Sequence, residues 1–385
     1  MNFDLTPEQE EFRKVVREFA EEVVAPGAAS RDEREEFPLD VVERMGTLGL
    51  FGLPFPDALG GSDADAITVC LALEELGRVD QSVAITLSAA IGLAGAMVNR
   101  FGTTEQKERL LPPLSRAEAL GSFCLTEPGG GTDAAAAKTT ARLEAGGWTI
   151  DGAKAFITNA GTPITAFHVV AAATEPGGGA RGISTFVVPA DAPGITVGAP
   201  YRKVGWRASD TREVSFSSVR VPNDALLGER RRGFAQCLEI LTDARIGIAA
   251  LAVGLSQGCL DASVAYATQR TAFGRAIGGN QMIQSKVADM RAAVESARLL
   301  TYRAAWLKDQ GRAHVAEASL AKLVSSEAAV ACAREAVQIH GGYGFTEEFP
   351  VGRFYRDAKI LEIGEGTSEI QRLILARDLG LPDAF

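Results

Sequence analysis

The sequence predicts an α+β protein in three parts: an N-terminal helical domain over 1–118, a middle antiparallel β domain over 119–227, and a C-terminal four-helix-bundle-like domain over 228–385. Three observations lead there. Apolar residues recur at helical spacing through the first part, β-branched residues alternating with polar ones fill the second, and long Ala- and Leu-rich stretches with charges on one face fill the third.

The elements follow in order. Thr6-Pro7-Glu8-Gln9 reads as a capping box with proline at the first helical position, and Phe12, Val15, Val16, Phe19 and Val23 then share a helical face. Helical patterns continue over 39–48, 64–76 and 81–101, and a second capping box, Thr103-Thr-Glu-Gln106, restarts the helix. In the middle part, strands are expected over 148–158, 167–173, 183–188, 195–204 and 213–221, with turns such as Pro176-Gly-Gly-Gly179 and Ala192-Pro-Gly194 between them. No helices separate these strands, so the sheet is expected to be antiparallel. The last part predicts helices over 235–269, 281–308 and 313–339, as a bundle requires, and an amphipathic segment over 367–379.

Composition narrows the function classes. With 385 residues, 46% apolar and 23% charged, the chain is ordinary for a globular protein. A net charge of -10 and a pI near 5.1 argue against a nucleic-acid partner, because no basic face exists to displace phosphate counterions. Arg230-Arg231-Arg232, the one dense basic cluster, reads as a solvated loop. No apolar run is expected to span a membrane, and the acidic start Met1-Asn-Phe-Asp-Leu-Thr-Pro-Glu is unlike a signal peptide, so a cytoplasmic location is expected. Cys70, Cys124, Cys237, Cys259 and Cys332 stand apart in apolar contexts, and His168, His314 and His340 are too dispersed for a metal triad. Neither a metal site nor a disulfide is expected. Redox chemistry would have to come from an organic cofactor.

Two stretches stand out. Glu365 lies between Gly364 and Gly366, after an apolar run and just before an amphipathic helix. A turn that tight can project a carboxylate into a cavity, and an apolar cavity would raise its pKa and make it a stronger base. The plainer alternative is a solvated glutamate that suits the helix dipole. Phe123-Cys-Leu-Thr-Glu-Pro-Gly-Gly-Gly-Thr-Asp133 stands where the helical part meets the sheet; its glycines let backbone amides approach a planar ring or a phosphate, and it is neither a G-x-G-x-x-G nor a Walker loop.

Thr126-Glu-Pro-Gly with Thr132-Asp133, Phe156-Ile-Thr-Asn159, Arg270-Thr-Ala-Phe-Gly274 with Gln281, Gln338-Ile-His-Gly-Gly342, and Arg356-Asp357 through Glu365-Gly-Thr367 together resemble the acyl-CoA dehydrogenase family, in that family's order and across nearly the whole chain. The resemblance implies FAD as cofactor, an acyl-CoA substrate, an electron-transferring flavoprotein as acceptor and a homotetramer built as a dimer of dimers. It implies that Phe123, Leu125, Thr126, Gly131 and Thr132 hold the flavin, with Thr132 also near the CoA, and that Phe156 and Thr158 lie beside the ring near N5. Arg270, Phe273, Gln281, Gln338, Gly341 and Gly342 would serve the FAD of a neighbouring subunit, with Thr367 and Glu369 also on the cofactor. Arg245 and Gly366 would meet the substrate, and Glu365 would be the base. Its own backbone N–H and a flavin ribityl hydroxyl would receive the thioester carbonyl.

The chain also departs from the family pattern. Ala244 fills the position where an isovaleryl-type branch carries its base; Gly364 replaces a frequent tyrosine and Phe156 a frequent tryptophan. No arginine stands near Val83-Ala84 to hold a second carboxylate, so a monocarboxylic acyl group is expected. Two alternatives keep the fold: a flavin oxidase or monooxygenase that uses O2, and a non-catalytic scaffold.

Overall fold

The computed structural model describes residues 4–382, so the first three positions of the expected N-terminal domain and the last three of the C-terminal domain lie outside the described residues. The N-terminal part contains α1 (Pro7–Phe19), α2 (Ala28–Arg34), α3 (Leu39–Thr47), α4 (Ala66–Val79), α5 (Gln81–Ala89), α6 (Gly95–Phe101) and α7 (Thr104–Ser115). Both capping boxes form as expected: the Thr6 and Thr103 hydroxyls accept from the Gln9 and Gln106 N–H groups, and each glutamine side chain accepts in return. A π turn at Ala90–Ala94 joins α5 to α6 in one continuous helix. That helix, Gln81–Phe101, is after all long and apolar enough to span a membrane, contrary to expectation, but 83% of its apolar window is buried inside the protein. It is a core helix here.

The middle part contains β1 (Leu120–Cys124), β2 (Thr140–Glu144), β3 (Gly147–Thr158), β4 (Thr165–Ala173), β5 (Ile183–Pro189), β6 (Ile195–Val197), β7 (Thr211–Val221) and β8 (Leu226–Leu227). Their order is β6-β7-β3-β2-β4-β5-β8, with β1 paired to β4. Most pairings are antiparallel, but β1 runs parallel to β4, and β2 meets β4 through one parallel bridge, Thr140 with Ala173. The β2–β3 hairpin supplies the crossover that a helix usually supplies, which the absence of intervening helices had hidden. The strand expected over 195–204 ends at Val197. Beyond it Gly198 and Tyr201 still donate to the Glu213 and Thr211 carbonyls, while Pro200 between them has no N–H to give.

The C-terminal part holds α8 (Gly233–Gln269), a small hairpin of β9 (Thr271–Ala272) and β10 (Arg275–Ala276), α9 (Gln281–Asp309), α10 (Val315–His340), α11 (Val351–Leu361) and α12 (Ser368–Asp378). The shorter α11 and α12 pack on α10 and complete the bundle. At 37 residues, α8 is the spine, touching α4, α9, α10 and β5. It crosses α4 backbone to backbone: a Cβ on Gly254 would sit 2.3 Å from the Glu74 carbonyl oxygen, and one on Gly258 2.3 Å from that of Arg78. Gln81 fastens the same crossing by donating to the Gly77 and Leu251 carbonyls at 2.8 and 2.9 Å. A polar seam runs alongside, where buried Glu75 takes Arg13 and Arg17, and buried Glu74 takes Arg298 and the Tyr302 hydroxyl.

This crossing has no room for one more methyl. Gly254→Ala is expected to lower stability by about 1–3 kcal/mol, the usual cost of overpacking, while Gly92→Ala, whose Cβ would meet nothing within 4 Å, leaves it unchanged or slightly raised. Equal thermal midpoints for both variants would contradict the packing described.

Candidate active site

β1 delivers the chain into the glycine-bearing loop, and a buried ion pair holds that loop. Glu127 accepts from Lys154 Nζ at 2.8 Å and from the Thr139 and Lys138 N–H groups at 2.9 and 2.7 Å. Lys154, wholly buried on β3, also donates to the Leu125 carbonyl at 3.1 Å. Burial alone would raise the Glu127 pKa, but the Lys154 hydrogen bond and charge together with the backbone donors hold it at about 2. For Lys154, burial prevails over the pairing and shifts its pKa down. Sequence reasoning gave neither residue a role, although a lysine inside the apolar run of β3 was a visible signal.

The loop is open on its outer side. None of Gly129, Gly130 and Gly131 takes a positive φ, and a Cβ on any of them would meet nothing closer than 3.6 Å. The protein's own packing therefore does not demand these glycines; a ligand lying against the backbone would. The hydroxyls of Thr126, Thr132 and Thr158 make no hydrogen bond among the described residues, so three donors are left free on the loop and on β3. The Ala155 N–H donates to the Thr126 carbonyl at 2.9 Å, which ties the loop to a β3 bulge. At that bulge Phe156 has φ +60°, is 65% exposed, and stacks on Tyr201 with ring centroids 5.1 Å apart. Asn159, also at positive φ, is buried and donates to the Thr86 carbonyl of α5 at 3.0 Å. Phe123 and Leu125 pack into the core beneath. A planar aromatic cofactor with polar edges fits this set: backbone bare of side chains, free hydroxyls and an exposed aromatic face.

The second cluster is the turn between α11 and α12. Ile363 and Gly364 donate back to the Ile360 carbonyl, Ser368 donates to that of Glu362, and the Thr367 hydroxyl caps α12 by accepting from the Ile370 N–H. Between these anchors Glu365 and Gly366 both take the left-handed conformation, at φ +54° and +97°. A Cβ on Gly366 would lie 2.7 Å from Gln371 Nε2, and the φ of +97° itself favours glycine there. For glutamate, a left-handed φ costs of order 1 kcal/mol or more and persists only where surroundings enforce it. Glu369 points outward on α12, and Gly364 faces open space, its Cβ position no closer than 3.5 Å to a neighbour.

Glu365 as a residue is half-buried, yet its Oε2 is sealed from solvent and has no hydrogen-bond partner. Burial pushes its pKa up to about 7, against the opposing pull of Lys322 and then Arg245. Arg245, buried on α8, leaves its Nε unpartnered, and its guanidinium lies 3.9 Å from the Cβ position of Gly366. Ala244 beside it is apolar and buried, so no second carboxylate competes. An unpaired, partly neutralised carboxylate next to an unsatisfied arginine can accept a proton from a weak carbon acid while the arginine meets an anionic or carbonyl group.

The third group stays apart. Arg270, at the end of α8, stands over the Tyr343 ring at 6.0 Å, and Phe273 at the tip of the β9–β10 hairpin is fully exposed at positive φ. Gln281, Gln338, Gly341 and Gly342 are likewise exposed, beside Met282 and Phe345. Among the described residues, no hydrogen bond, ion pair or ring contact links this surface to the loop or to Glu365.

Comparison with known proteins gives a consistent result. Three family models match in succession: acyl-CoA dehydrogenase N-terminal domain over residues 6–118, middle domain over 122–219 and C-terminal domain over 231–380. A probable acyl-CoA dehydrogenase of Bacillus subtilis, YngJ, is 47% identical over 98% of this chain and 100% of its own length. The butyryl-CoA dehydrogenase structure from Megasphaera elsdenii superposes with a TM-score of 0.96 at 39% identity, covering 99% of this chain and 100% of that one. A chain from a structure described as the electron transferring flavoprotein of Acidaminococcus fermentans, from work towards a mechanism of flavin-based electron bifurcation, has a TM-score of 0.96 at 40% identity, covering 98% of this chain and 99% of that one.

The buried pair under the loop makes a test of its own. Lys154→Met strands the Glu127 carboxylate and is expected to cost about 3–5 kcal/mol, with Lys154→Met/Glu127→Leu recovering part of it. Because Glu127 is held at about 2, the pair's contribution should be complete above the ordinary carboxylate pKa and fade as pH falls towards about 2. An unchanged thermal midpoint in the single variant would overturn this account of the loop.

Proposed function

The chain belongs to the acyl-CoA dehydrogenase family, and from that premise we propose that it oxidises a short, unbranched acyl-CoA to the trans-2-enoyl-CoA, with Glu365 as the base and FAD as the cofactor. The observation that carries the proposal is the Glu365 side chain: its Oε2 is sealed and unpaired, it is held on a left-handed turn, and burial pushes its pKa up to about 7. The likeness to a butyryl-CoA dehydrogenase supports the short acyl chain.

The residues then divide the work. Glu365 accepts the α-proton, and its own N–H donates to the thioester carbonyl, where negative charge develops. Arg245 lies beside that carbonyl and the CoA. The loop from Phe123 to Thr132, with the free hydroxyls of Thr126, Thr132 and Thr158, would hold the cofactor together with the exposed Phe156. When bound, FAD supplies the electron sink that receives the β-hydrogen as hydride. The sealed position of the Glu365 Oε2 keeps water from competing for the proton there. Arg270, Phe273, Gln281, Gln338, Gly341 and Gly342 serve a cofactor on a second copy of the chain, which accounts for a wholly exposed phenylalanine beside Met282 and Phe345. Oligomer formation is part of the proposal. An electron-transferring flavoprotein takes the electrons, in keeping with the chain's likeness to a component of such a structure. The exposure of Phe156 favours keeping the oxygen-using alternative in view, and slow aerobic reoxidation of the reduced protein would exclude it.

The chemistry can be tested directly. Glu365→Gln should retain FAD and bind butyryl-CoA, yet lose anaerobic flavin reduction by a factor of about 10²–10⁴ or more. A base must be deprotonated, so in the wild type the second-order reduction rate should rise with pH and level off above about 7. Turnover that survives Glu365→Gln would place the base elsewhere.

A further inference from the structure

Lys322 belongs to no motif in the sequence. It lies on α10 among small residues, Ala318, Ser319, Ala321, Ser325 and Ser326, all buried, and is itself fully buried. A buried ammonium ordinarily has a carboxylate against it. Among the described residues Lys322 makes no ion pair; its one hydrogen bond runs to the Gly366 carbonyl at 2.8 Å. Gln371, on α12, donates to the same oxygen at 2.8 Å and to the Glu365 carbonyl at 3.5 Å. Two donors from two helices thus clamp one peptide oxygen in the left-handed turn that carries the base. Only one of them is charged.

We propose that Lys322 is a positioning residue for Glu365: it clamps the Gly366 carbonyl, fixing the turn, and sets a fixed positive charge beside the carboxylate. The inference rests on the reading of Glu365 as the base. The groups that face this site are Arg245 from α8 and Lys322 from α10, with Glu362 and Glu369 acting on Lys322 from the turn and α12. Lys322 opposes the effect of burial on Glu365 more strongly than Arg245 does. Conversely, burial lowers the Lys322 pKa to about 8 and Glu365 acts to raise it, so the two charges support each other. The arrangement explains why an unpaired ammonium is kept in the core: its counter-charge is the base, held within its field but left free of a hydrogen bond to it. A direct salt bridge would quench the carboxylate as a proton acceptor. A cation fixed through the neighbouring carbonyl lowers the cost of ionising it while leaving its oxygens available.

The test separates charge from clamp. In the FAD-loaded protein, Lys322→Gln can keep a donor to the Gly366 carbonyl but loses the charge, Lys322→Arg keeps the charge, and Gln371→Met removes the uncharged donor. The rate of anaerobic flavin reduction by butyryl-CoA is measured against pH for each, together with flavin content. Lys322→Gln should hold its FAD, shift the rising limb upward by about one pH unit, and lose about tenfold in rate at pH 7, much of it recovered at higher pH. Lys322→Arg should restore the limb, and Gln371→Met should slow reduction with the limb in place. Lys322→Met is the second neutral variant should Lys322→Gln fail to fold. A limb that coincides with the wild type's in the neutral variant, whatever the rate, would overturn the proposal. If instead Glu365→Gln still reduces its flavin, the base assignment fails, and this inference fails with it for a different and recognisable reason.

Discussion

The structure depends on keeping one carboxylate unpaired, with one of its oxygens sealed from solvent. Left alone, a buried glutamate either picks up a proton or finds a cation. Here Glu365 is held between those outcomes. Two cations approach from different helices, Arg245 on α8 and Lys322 on α10, and neither forms a hydrogen bond with it among the described residues. The carboxylate is carried on a left-handed turn. Its strain is tolerable because α11 and α12 are tied off on both sides, by the Ile360 carbonyl and by the Thr367 cap.

That turn can be rigid only if the bundle beneath it is. α8 carries Arg245 and at the same time crosses α4 at backbone contact, so the cation's position is referred to the N-terminal part through Gly254, Gly258 and Gln81. The sheet is referred to the same frame: Asn159 reaches across to the Thr86 carbonyl, and Glu127 with Lys154 stitches the glycine loop to β3. The two clusters do not touch each other through hydrogen bonds. Their relative placement is a property of the packed core.

Much of this was legible because it is local. A capping box declares itself within four residues, and both formed as read at Thr6 and Thr103. Glu365 between two glycines also announced a special turn, and the structure bears out the tight geometry. What escaped was settled at a distance. β1 reads Leu-Gly-Ser-Phe-Cys, with a glycine and no clean alternation, and becomes a strand because β4 offers it a parallel edge. Lys154 and Lys322 stand within apolar stretches and belong to no motif; their partners lie 27 and 44 residues away, at Glu127 and Gly366. The parallel pairing was missed for the same kind of reason, since the crossover is a hairpin and not a helix. The resemblance supplied roles for the motif residues but none for these lysines.

The central claim is that the Glu365 carboxyl exchanges its proton near neutrality because it is buried without a partner. The most direct measurement is infrared difference spectroscopy of the carboxyl C=O stretch, wild type minus Glu365→Gln, titrated from about pH 5 to about pH 9. The account predicts a protonated carboxyl band at the acid end that disappears with a midpoint near 7. A band already absent at about pH 5, as for an ordinary solvated glutamate, would contradict it.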